Sequence, residues 1–84
     1  MAGKYTPLEH YLRDQPPSIK ELALGFEKIE EILADKLPKS ASIYCEWWNN
    51  ERQGTHIQAR SWMDADWQVE TVNLSHRTVR FSRD

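Results

Sequence analysis

The stretch Ser18–Pro38, SIKELALGFEKIEEILADKLP, admits two readings, and they lead to different folds. Ser18 and Glu21 stand at capping-box spacing, which allows one helix from 19 to 36. Ile19, Leu22 and Leu24, however, run into Gly25, a residue that costs a helix interior about 0.5–1 kcal/mol. Beyond Gly25 the period is helical, with Phe26, Ile29, Ile32 and Leu33 on one stripe. The spacing favours an extended segment at 20–24 followed by a helix over about 26–36. The single helix stays open. Pro38 ends either version. If 20–24 is a strand, it needs strand partners, and the rest of the chain must supply them.

The C-terminal third supplies them. WQVETVNL alternates from Trp67, with Trp67, Val69 and Thr71 on one side and Gln68, Glu70 and Val72 on the other. A turn at Ser75–His76 follows, and RTVRFSR alternates again with Val79 and Phe81 inward. A hairpin of about 67–74 and 77–83 results. Upstream, THIQARSWMDAD reads as a helix over 56–65. Thr55 and Gln58 form a second capping box, and Ala59, Trp62 and Met63 form the inner face. At the front, Thr6 can cap a short helix with Pro7 at its first position and Leu8, Tyr11 and Leu12 inward. Residues 40–48 read as a further short helix carrying Ala41, Tyr44, Cys45 and Trp48 on one face. Trp47 is then rotated away by about 100°. NNERQG is a loop.

The expectation is an α+β domain: helices packed on a small antiparallel sheet that ends in a C-terminal β-hairpin. The element order is also that of winged-helix domains, an analogy of order alone. With 84 residues the chain makes one small domain, 1–84, whose core must be efficient. The four tryptophans lie at 47, 48, 62 and 67, which puts the centre of the core there.

Charge and composition narrow the setting. The net charge of −2 gives no general attraction to nucleic acid. The two halves differ: residues 1–51 carry six bases, mostly lysine, against nine acids, whereas 52–84 carry five arginines against four acids. One cysteine, Cys45, excludes an internal disulfide and fits a reducing compartment. No apolar run is long enough for a membrane span, and no apolar leader opens the chain, so a cytoplasmic location is expected.

No catalytic constellation emerges. His10, His56 and His76 lack metal-ligand spacing to one another or to Cys45, so neither metal nor cofactor is expected. Cys45 beside aromatics reads as a small core residue. A binding cluster is the sharper reading. Trp47, Asn49, Asn50, Arg52, His56 and Arg60 gather around the loop and the first turn of the 56–65 helix, and Arg77 and Arg80 stand on the hairpin. Asparagine can read adenine, arginine can read guanine or hold phosphate, and tryptophan can stack on an unpaired base. Nucleic-acid binding is therefore the first expectation. Tryptophan, tyrosine and arginine equally serve protein interfaces, so the alternative is an adaptor or inhibitor that docks on a nucleic-acid-handling protein. Each residue also has a plain structural role open to it: indole as core, asparagine as turn former, arginine as solvated surface.

Taken in order, the strings FEKIEEIL, LPKSA, WWNN, WMDADWQV and VRFSR resemble a family of small bacterial and phage domains of unknown function. Its pattern is F-x-x-I-E, L-P-x-S-A, W-W-x-N, W-x-x-A-G-W-x-V and V-x-F-x-R. The resemblance spans nearly the whole chain and implies a self-contained domain of prokaryotic or phage origin, with no activity attached. Asp66 stands where that pattern has glycine. The position is the residue just past a helix, where positive φ is needed, and aspartate there costs about 1 kcal/mol.

Overall fold

A computed structural model describes residues 3–51 and 57–84. In chain order the elements are α1 (Thr6–Arg13), β1 (Glu21–Gly25), α2 (Phe26–Leu33), α3 (Lys39–Ile43), a 3-10 turn (Cys45–Trp48), α4 (Ile57–Met63), β2 (Gln68–Asn73) and β3 (Thr78–Ser82). The α+β expectation holds, and the Ser18–Pro38 stretch resolves as strand then helix. Gly25 is extended (φ −73°, ψ 153°), so the chain leaves β1 and enters α2 in one step. The Arg77 carbonyl receives the first helical N–H, that of Phe26, at 2.8 Å.

The three strands order β1-β3-β2, all antiparallel. Leu22 faces Phe81 and Leu24 faces Val79 across the β1–β3 pair. These partners, 59 and 55 positions away in sequence, decide what local propensity left open. The β2 alternation differs from the expected one. A bulge between Val69 and Thr71 sets Val69 opposite Phe81 and Val72 opposite Val79, so both valines face the core and Thr71 turns outward with Arg80. The extra residue is Glu70, whose carboxylate accepts the Ser82 hydroxyl at 2.8 Å.

The inner face of the sheet joins the helices in one core with Phe26, Ile29, Trp48, Trp62, Trp67, Val79 and Phe81. Its spine is a run of rings. Phe26 stacks on Trp48 (centroids 5.0 Å apart), Trp48 on Trp62 (5.9 Å), and Trp62 meets Phe81 at 5.8 Å. Four elements are thereby tied through four side chains, which suits a domain too small for a broad aliphatic core.

Helix ends depart from the sequence reading at three places. Thr6 lies inside α1 and its hydroxyl accepts the Gly3 N–H at 2.8 Å, leaving the N-cap position to Tyr5. α2 stops at Leu33, short of 36, because Ala34 turns left-handed (φ 56°) and the Asp35 and Ala34 amides fold back on the Glu30 and Glu31 carbonyls. The expected helix over 40–48 is broken at Tyr44, which is extended (φ −118°, ψ 120°) between α3 and the 3-10 turn. The break destroys the proposed common face. Ala41 and Trp48 are buried as expected, but Tyr44 and Cys45 are exposed, so Cys45 is a surface thiol and no part of the core. The Asp66 expectation holds: φ is 68°, and the Trp67 and Asp66 amides bond back to the Trp62 and Met63 carbonyls.

Candidate functional site

The tryptophan pair divides as its rotation predicts. Trp48 is buried and its indole N–H donates to the Ala41 carbonyl at 2.9 Å. Trp62 donates to the Asn50 side chain at 2.9 Å and Trp67 to the Leu12 carbonyl at 3.0 Å. Trp47 alone of the four has no partner for its indole N–H among the described residues. Its ring lies half-buried, edge-on to Trp48 (4.7 Å) and Tyr5 (6.0 Å). Gln58, buried on α4, donates to the Trp47 carbonyl at 2.9 Å and fixes the turn against that helix.

Asn50, expected as a recognition residue, is engaged by the fold. Its Oδ1 accepts from Val69 N–H (2.8 Å) and Trp62 Nε1 (2.9 Å), and its amide donates to the Val69 carbonyl at 3.0 Å. The side chain thus behaves as one more strand residue, closing the outer edge of β2 and anchoring a core indole. Asn49 is exposed beside it. Arg52 and His56, and the Thr55 cap of α4, lie outside the described residues.

The arginines do not converge on the tryptophan pair. Arg60 is exposed on α4 and is itself engaged. Arg77 occupies the hairpin turn with positive φ (54°), its guanidinium 5.4 Å from the Phe26 ring and 3.3 Å from the Ser42 hydroxyl. It borders a groove also lined by Glu27, Glu30, Glu31, Ala34, Asp35 and Lys36, where four acids outnumber the two bases and oppose phosphate. Arg80 projects from the outer face of the sheet and pairs with Glu21 at 3.7 Å. Arg13 pairs with Glu9 at 2.9 Å. Arg83 lies over the Trp67 ring (4.3 Å) and donates to the Ile19, Pro16 and Gln15 carbonyls. Among the described residues the arginines are bound up in the fold at scattered points and form no stripe.

Large apolar side chains are exposed near Trp47 in the chain and on α4. Ile43 and Tyr44 are each 58% exposed at the α3–turn corner, and Ile57 is 64% exposed at the start of α4. A shallow groove of about 350 Å³ is lined by Ser40, Tyr44, Glu46 and Trp47. A second, of about 130 Å³, is bordered by Tyr5 and Ile57. Tyr5, in ring contact with Trp47, joins the two. The sequence reading named Trp47 as a candidate and did not name Ile43, Tyr44, Glu46 or Tyr5. Ile43 carried a signal: it fits neither the Ala41–Trp48 face nor any polar role. Tyr44 carried none, because its outward position depends on the backbone break.

Among the described residues no three His, Cys, Asp or Glu side chains gather as metal ligands, and no helix is long and apolar enough to cross a membrane. No curated protein and no solved structure matches this chain. A family model described as a domain of unknown function, DUF7662, matches residues 5–84, and the chain belongs to that family.

Proposed function

We propose that the domain is a non-catalytic protein-binding module whose recognition surface is the corner formed by Ile43, Tyr44 and Trp47. One observation carries the reading. Three indoles spend their N–H inside the fold, and among the described residues the fourth has no partner for its own; its half-buried ring shares a groove with Tyr44, which like the preceding Ile43 is 58% exposed. Ile and Tyr side chains left outside a core that needs every apolar residue are costly to solubility, and such patches mark contact sites. Tryptophan and tyrosine combine area with a polar tip, which is why they dominate interface energetics.

Nucleic-acid recognition remains the second reading, with less to support it. A phosphate-tracking surface needs cations on one face. Here Arg13 and Arg80 are paired with acids, Arg83 holds carbonyls, and Arg77 sits beside the acidic groove of α2. The winged-helix-like element order is an analogy of fold and supports neither reading.

The test is capture on the immobilised domain from nuclease-treated cell lysate, with Tyr44→Ala and Trp47→Ala in parallel, followed by titration of the purified partner. The expected result is a protein whose affinity falls by about 2 kcal/mol, roughly 30-fold, on Trp47→Ala, with little dependence on salt. Tight binding of an oligonucleotide that weakens steeply with salt and is indifferent to Tyr44→Ala would replace this reading with the nucleic-acid one.

A further inference from the structure

The groove beside Trp47 has a composition that says more than "apolar". Two of its four lining residues are aromatic, Tyr44 and Trp47, one is acidic, Glu46, and the fourth is Ser40. Tyr44 makes no ring contact with another aromatic among the described residues, so its faces are open to a ligand. Glu46 is exposed, and among the described residues its carboxylate has neither an ion-pair nor a hydrogen-bond partner. Glu9, Glu21, Glu30 and Asp35, by contrast, are ion-paired, with Arg13, Arg80, Lys36 and Lys4.

Resting on the protein-binding reading, we infer that this groove is a slot for an arginine side chain of the partner, with the guanidinium against Tyr44 and Trp47 and charge-paired to Glu46. A guanidinium is planar and weakly hydrated. It stacks on aromatic faces, and its forked N–H groups suit a carboxylate. The alkyl stem that precedes it needs apolar lining, which the Tyr44 and Trp47 rings offer. A phosphate or an acidic side chain would meet Glu46 and find no cation in the lining. A purely aliphatic side chain would leave the Glu46 carboxylate beside it without a partner. Charge and shape together select a cation, and the two aromatic walls select arginine over lysine.

The probes are N-acetyl-arginine-methylamide, its lysine counterpart and the neutral isostere N-acetyl-citrulline-methylamide, each titrated into the full chain and followed by amide and indole NMR shifts. The expected result is saturable shifts from arginine centred on Tyr44, Glu46, Trp47 and the Trp47 indole N–H, smaller ones from lysine, and none from citrulline. Glu46→Gln should weaken the arginine response by about three- to tenfold, and Tyr44→Ala, which leaves the core untouched, by a similar factor. Equal responses to arginine and citrulline, indifference to Glu46→Gln, or shifts centred on the acidic groove of α2 would overturn the inference. The two readings fail separately. A partner whose binding depends on Tyr44 and Trp47 while the arginine probe gives no shifts refutes the slot alone. A partner indifferent to both residues refutes the surface itself.

Discussion

Trp67 and Trp47 both pack into one small core and are treated in opposite ways. Around Trp67 everything is closed. Its indole N–H reaches back to Leu12, Arg83 covers its face, and the same guanidinium gathers carbonyls from the Gln15–Ile19 connection. Arg13 adds a bond to the Asp64 carbonyl, and Lys20 one to that of Asp84. The charged side chains here bind the two chain ends together. Around Trp47 the side chains stop short: among the described residues its indole N–H and the Glu46 carboxylate have no partner, and Ile43 and Tyr44 are turned to solvent. A domain of this size needs its apolar side chains for the core. The difference teaches which arginines and tryptophans are structural and which aromatic is available to another molecule.

The sharpest way to break this contrast is at the closed end. Trp67→Ala removes a ring that is 2% exposed together with its hydrogen bond, and should cost about 3–5 kcal/mol, enough to leave an 84-residue domain largely unfolded in a chemical denaturation series. Asn50→Ala comes next. It strips the Trp62 N–H and both Val69 backbone groups of their partner, and should cost about 2–3 kcal/mol by the same measurement. A loss of binding without that loss of stability would instead make Asn50 a contact residue, as its place in the sequence first suggests. Arg83→Ala should cost about 1–3 kcal/mol through lost carbonyl bonds and the lost cover of Trp67. Asp66→Gly should raise stability by about 1 kcal/mol, because glycine takes the 68° φ without strain. Tyr44→Ala should change stability least, within about 0.5 kcal/mol.

The same contrast explains how much could be read from sequence. The ring run was legible because Phe26, Trp62 and Phe81 sit on unbroken helical or strand periods. Gly25 correctly divided strand from helix, and the αL position of Asp66 followed from its place after a helix. What failed were inferences that needed backbone continuity. The extended residue at Tyr44 breaks the helical face, and the bulge at Glu70 shifts the strand by one position, which exchanges inside for outside. Neither carries a glycine or proline to announce it. The structural role of Asn50 was hidden for a different reason: an amide that serves strand edge and indole together has the composition of a recognition loop, and that role is visible only in its partners, 12 and 19 residues away.

Tyr44→Ala therefore tests the account most directly, through its melting temperature and its affinity for the captured partner measured on the same sample. The account predicts an unchanged melting temperature with affinity reduced about tenfold or more. A variant that melts well below the parent, or one that binds the partner as tightly as the parent does, would contradict it.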